Sequence, residues 1–219
     1  MGGKPPFVRV NMERQLALLL LGPTGSGKTP LGQLLEARGL HGMRCVHFDF
    51  GENLRQIVAG NRPSEIISQA DIDFLQGVLA TGALLEDDQF PLTSRILAAF
   101  LHRRKVCGET WVVLNGLPRH AGQASALDAV LDVRCVVCLS CDSDAVIRRL
   151  ASNVGGDRSG RVDDDLDRVR TKLEVFHKRT RPLVDHYRQS GARIITVDIT
   201  STTTPEDAWA ALDCNPATM

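Results

Sequence analysis

The sequence predicts an α/β protein built on a doubly wound parallel sheet. Three observations point there. Short, continuously apolar runs recur along the chain, as strands buried on both faces do. Helix-patterned stretches separate them. A glycine-rich turn joins the first apolar run to the first helical stretch. At 219 residues the chain suffices for one such domain with small insertions, and it can bury a core without disulfide or metal staples.

Taken in order, the expected strands are Leu16–Leu21, Cys45–Phe48, Trp111–Leu114, Cys135–Leu139 and Arg193–Val197. The expected helices are Gly27–Ala37, Glu52–Ala59, Ser64–Ala80, Gln89–Arg104, Ala121–Leu131, Ser143–Ala151, Asp164–Gln189 and Pro205–Leu212. Alternation of the two implies right-handed βαβ crossovers. Residues 1–13 read as a flexible arm, and residues 14–219 as a single domain. Val154–Gly160 has the composition of a flexible loop. Neither internal repeats nor low-complexity segments occur.

Composition excludes several classes. Lys plus Arg equals Asp plus Glu at 26 each, so no global field favours nucleic acid or an anionic membrane. Apolar runs fall short of the roughly 20 residues that span a bilayer. Leu16–Leu21 flows directly into the glycine-rich turn and reads as a buried strand rather than a signal-peptide core. The six cysteines are therefore expected as free thiols in the cytoplasm. Cys135, Cys138 and Cys141 have two C-x-x-C spacings, but along a strand residues three apart face opposite sides, which argues against a metal site.

Residues 22–29 read Gly-Pro-Thr-Gly-Ser-Gly-Lys-Thr. Gly22, Gly27, Lys28 and Thr29 satisfy G-x-x-x-x-G-K-[ST], with a strand before and a helix after. Glycines let successive backbone N–H groups turn inward around phosphate oxygens, and the helix adds its N-terminal dipole. Thr24, Gly25 and Ser26 complete the loop. Lys28 is placed to reach the β- and γ-phosphates, and Thr29 to ligate Mg²⁺. The loop implies nucleotide binding without specifying a reaction.

Other segments resemble the adenylate kinase and nucleoside monophosphate kinase family over nearly the whole chain after residue 15. They are Phe48-Asp49-Phe50-Gly51-Glu52-Asn53-Leu54-Arg55, Gly82-Ala83-Leu84-Leu85, Asn115-Gly116-Leu117-Pro118-Arg119 with Gln123-Ala124, and Arg149-Leu150 followed by Arg158, Arg161, Asp163 and Asp164. The resemblance implies a three-layer α/β/α P-loop kinase fold with a five-stranded parallel sheet. It adds a helical monophosphate-binding insert at about 50–85 and a short lid at about 151–163.

The implied activity is phosphoryl transfer from Mg·ATP to a nucleoside monophosphate, AMP being the first expectation. Lys28, Arg119, Arg158 and Arg161 would hold the transition state, and Arg149 would lie against the donor adenine. Phe50, Gly51, Arg55, Arg119, Gln123 and Lys172 would bind the acceptor, Gln123 through its base. Zinc is not expected, because the lid carries no cysteine. The expected partners are ATP and the monophosphate, with no nucleic acid or membrane, and the expected state is a monomer.

Four positions depart from the family pattern: Phe50 for threonine, Asn115 for aspartate, Asn153 for arginine and Lys172 for arginine. Phe50 fits either a base-stacking or a core role. An amide at 115 is a poorer partner for a hard cation than a carboxylate. Either catalysis is weakened or another acid compensates. Asp49 is the candidate, its competing role being helix entry. Two further readings stay open in the sequence: a kinase of a small hydroxylated metabolite with Asp49 as base, and a nucleotide-binding regulatory module.

Overall fold

The computed structural model describes residues 14–61, 67–154, 156 and 166–214, the side chains of 166–168 excepted. The expected arm at 1–13, the start of the Ser64 helix, residues 155 and 157–163 of the expected lid, with Arg158, Arg161 and Asp163, and Asp164 after it lie outside these residues.

Five parallel strands form one sheet in the order β2-β3-β1-β4-β5: β1 Gln15–Leu21, β2 Cys45–Asp49, β3 Trp111–Asn115, β4 Leu131–Ser140 and β5 Arg193–Asp198. The apolar runs are continuous because both faces are covered. Ala17, Leu19 and Leu21 face one core with Phe48, Leu54, Phe100 and Tyr187. Leu18 and Leu20 face the other with Leu31, Leu35, Trp111 and Leu212. On the second face lie α1 Lys28–Arg38 and α9 Pro205–Asp213. The first face is covered by α2 Phe50–Val58, α3 Gln69–Thr81, α4 Phe90–Arg103, α5 Ala121–Leu127 and, later in the chain, α8 Leu183–Gln189. Between α5 and α8 run α6 Ser143–Ser152 and α7 Leu166–Val175.

Differences from the expected elements have local causes. Helix α2 starts at Phe50 because Asp49 caps it, its Oδ1 accepting from Glu52 N at 2.9 Å. Helix α3 starts at Gln69 behind a Ser68–Asp71 capping box. The expected helix Ala121–Leu131 ends at Leu127, because Leu131–Val133 pair along β1 and lengthen β4 past its apolar core, Arg134 being skipped at a shift of register. The long helix Asp164–Gln189 is interrupted by a π-helical turn at Phe176–Thr180, where Arg181 N reaches back to Phe176 O. Pro182 follows, and its ring and missing N–H cannot continue the ladder. Cys135 and Cys138 fall in opposite cores.

All five strands run the same way, so β1, β2 and β3 end at one edge of the sheet. The phosphate loop, Asp49 and Asn115 emerge there together, and ligands of open α/β sheets bind at such an edge.

Candidate active site

Gly25 and Gly27 adopt φ of 76° and 93°, which side chains rarely tolerate, so the loop can wrap its amides inward before α1 begins at Lys28. Lys28 Nζ donates to Gly22 O and Pro23 O, each at 2.7 Å. Ser26 is buried. Arg149 braces the loop from below. Its Nε donates to Gly25 O at 2.9 Å, and its Nη1 to Thr200 O and Thr203 O at 2.9 and 2.7 Å. It is a buried cation satisfied by carbonyls, and it ties the loop to the segment after β5.

At the ends of β2 and β3 a polar cluster forms beside Thr29. The Thr29 hydroxyl donates to Asp49 Oδ2 at 2.7 Å. Asn115 Nδ2 donates to the same Oδ2 at 2.8 Å and to Thr29 Oγ1 at 3.0 Å. His47 Nε2 lies 3.4 Å from Asn115 Nδ2. Burial pushes the His47 imidazole pKa down, against the raising pull of Asp49 and Glu36. Asp49 therefore has the helix-entry role weighed for it, Oδ1 capping α2, while its Oδ2 is bonded by Thr29 of the phosphate loop.

The acceptor-side residues line the same cleft, of about 510 Å³, as the phosphate loop: Phe50, Gly51, Arg55, Arg119, Gln123 and Lys172. Phe50 is a core side chain that also shows a surface to the cleft. It is buried, with its ring 6.1 Å from Phe48. Arg55 is paired with Glu52 at 2.9 Å. Arg119 is held by its backbone, N donating to Gln123 Oε1 and O accepting from Thr180 Oγ1. Burial, with the like charge of Arg179 adding, pushes its guanidinium pKa down to about 10, so it stays cationic at neutral pH. Gln123 Nε2 donates to Leu85 O at 2.8 Å. Its amide thus bonds backbone at both ends, and one N–H and one lone pair remain for a base.

Asn153 closes α6 in the left-handed conformation, φ 48°, which asparagine accommodates better than arginine. Sequence reasoning did not single out His47, Thr180 or the bidentate Arg179–Glu86 pair, whose Nη1 and Nη2 bonds measure 2.5 and 2.7 Å. A histidine two residues before Asp49 on a strand was the only available signal for the first.

Residues 20–192 match the family model described as adenylate kinase. The chain belongs to the adenylate kinase family. Among similar proteins, the adenylate kinase of Synechococcus sp. (strain CC9311) is 36% identical over 179 residues, 80% of this chain and 85% of that one. That of Xylella fastidiosa (strain M12) is 34% identical, covering 80% and 87%. That of Parvibaculum lavamentivorans (strain DS-1 / DSM 13023 / NCIMB 13966) is 32% identical, covering 84% of each. As a member of this family the chain is a nucleoside monophosphate kinase-type phosphotransferase that binds ATP and a nucleoside monophosphate. The metabolite-kinase and regulatory readings are not favoured.

Proposed function

We propose that the substrate pair is ATP and AMP, converted to two ADP. One observation carries this reading. The charged residues lining the cleft are four cations, Lys28, Arg55, Arg119 and Lys172, and one acid, Asp49. A chain of zero net charge has thus gathered an electropositive pocket suited to a pair of phosphate chains.

The phosphate loop holds the donor, with Lys28 on its terminal phosphates; Arg149, expected against the adenine, instead lies buried under the loop and braces it. Arg55, Arg119 and Lys172 hold the acceptor phosphate facing it, with Phe50 and Gln123 at the base. The γ-phosphoryl leaves the β–γ bridging oxygen, whose electrons stay on ADP, and bonds an ionised oxygen of the monophosphate. No general base is required. Arg119 meets charge on the transferring group, joined by Arg158 and Arg161 from the expected lid.

Mg²⁺ fits the donor set. Asp49 Oδ2 and Thr29 Oγ1 are hard oxygens 2.7 Å apart beside the phosphate loop. Mg²⁺ is commonly held by one or two such groups plus substrate phosphates. When bound, the ion would neutralise phosphate charge. The unpaired cysteines support a cytoplasmic location, and a monomer is the state we assign.

The test is a coupled ADP-formation assay with ATP and Mg²⁺ across AMP, CMP, UMP, GMP and dTMP. The expected result is turnover with AMP at the highest kcat/KM. Preference for another monophosphate would overturn the acceptor assignment, and silence across the panel would overturn the reading as a whole.

A further inference from the structure

Asp49 closes β2, Asn115 closes β3, and the two are register partners. Asn115 is 4% exposed, and its Nδ2 meets three groups that can accept: Asp49 Oδ2, Thr29 Oγ1 and His47 Nε2. The Thr29 proton is already given to Asp49, so its oxygen accepts from the amide. A neutral imidazole offers a lone pair at Nε2. Turning the amide over would set its oxygen 2.8 Å from a carboxylate, so this environment fixes its orientation. A carboxylate at 115 would be a second anion at that distance, and two such groups cannot both ionise.

We propose that Asp49 carries the negative charge that serves the metal, that Asn115 is a positioning residue holding Asp49 Oδ2, and that the charge can be exchanged between these two strand ends. On this account Asn115 is the necessary partner of an acid on the neighbouring strand and no defect. His47 acts through Asn115, its ring wedged against α1. The inference rests on the phosphoryl-transfer reading for its purpose, but its geometry can be tested separately.

The experiment compares wild type, Asp49→Asn, Asn115→Asp and the double exchange. Calorimetry measures the affinity of a non-hydrolysable ATP analogue with Mg²⁺ and with EDTA, and the ratio gives the metal preference. Turnover with AMP is the second readout. Asp49→Asn is expected to cut the metal preference about 10- to 100-fold, the usual scale for groups that orient a metal. Asn115→Asp is expected to lower turnover below wild type. The double exchange is expected to restore the metal preference to the wild-type order. Asp49→Ser keeps a capping side chain for α2, so it separates loss of charge from loss of fold and should match Asp49→Asn. A gain of turnover in Asn115→Asp, an unchanged preference in Asp49→Asn and Asp49→Ser, or a double exchange as poor as Asp49→Asn would each overturn the proposal. A wild type that shows this calorimetric pattern without turnover would refute the phosphoryl-transfer reading and leave the charge assignment standing.

Discussion

Two glycines in helix interiors should respond to alanine with opposite signs. Gly32 lies in α1, where an added Cβ would sit 2.3, 2.4 and 2.6 Å from three atoms of the His47 ring. Unstrained carbon contacts lie near 3.5 Å, so the overlap is about 1 Å at each atom. The ring has little room to yield. His47 is buried, its strand residue pairs with Val113, and its N–H donates to Glu36 Oε2 at 2.9 Å. Overpacking of this kind costs about 3 kcal/mol at its upper range, against about 1 kcal/mol gained in helix propensity. The remaining destabilisation of about 2 kcal/mol corresponds to a melting temperature lower by about 4–8 °C. Gly77 in α3 has no neighbour within 4 Å of an added Cβ. There the propensity gain stands alone, raising the melting temperature by about 1–4 °C. Calorimetric melts of both variants check this. A Gly32→Ala protein that melts at or above wild type would refute the packing argument. The cause is checked by adding His47→Ala to Gly32→Ala, since removing the ring should relieve the clash and make the two substitutions non-additive.

Arg119→Ala removes a half-buried cation of the cleft and should lower kcat by about 10²–10³, the usual cost of losing one transition-state donor, with the KM for ATP little changed. Steady-state kinetics with both substrates varied would check it, and an unchanged kcat would remove Arg119 from the transition state. Asp71 gives a pH prediction: hydrogen bonds from Ser68 N, then from the Ser68 hydroxyl, and the charge of Arg95 lower its pKa. A carboxylate with a depressed folded-state pKa contributes stability above its unfolded value, and that contribution is lost as pH falls through the folded value. Asp71→Asn should therefore cost about 1 kcal/mol at pH 7, and its deficit against wild type should shrink below about pH 4. Denaturant melts at pH 7 and pH 3 measure the gap.

The strands were legible because each depends on local composition: a run such as Leu16–Leu21 has apolar partners on both faces wherever it sits in the sheet. The phosphate loop was legible for the same reason, its chemistry being contained in eight consecutive residues. What the sequence could not show depends on register. Asp49 and Asn115 are 66 residues apart, and only the β2–β3 pairing brings their side chains into contact. His47 was missed because Gly32 and Asn115, which flank its ring, and Glu36, which accepts its backbone N–H, are scattered over α1 and β3. Gln123 was recognised as a residue of the cleft, but its bonds to Leu85 O and Arg119 N arise from the packing of α5 against the end of the insert. The Leu127–Leu131 boundary was misplaced because Asp132 and Arg134 give the start of β4 a polar, helix-compatible look.

The site's charge arrangement lowers the stability of the protein on its own. Half-burying Arg119 near another guanidinium, with no acid bonded to it among the described residues, disfavours its charged form and lowers its pKa. Arg149, more deeply buried, shows the alternative: three carbonyl acceptors satisfy it, and it serves as a brace. The difference between the two arginines is one of function. A guanidinium saturated by the protein has few donors left for a phosphate, whereas a desolvated and unsatisfied one gains most from an arriving anion. Interaction free energy withheld from the folded chain is thus available when substrate binds. The same reasoning explains the lone acid. A second carboxylate beside Asp49 would neutralise part of the field that Lys28 and Arg119 provide, and an amide at 115 holds Asp49 in place without adding that charge.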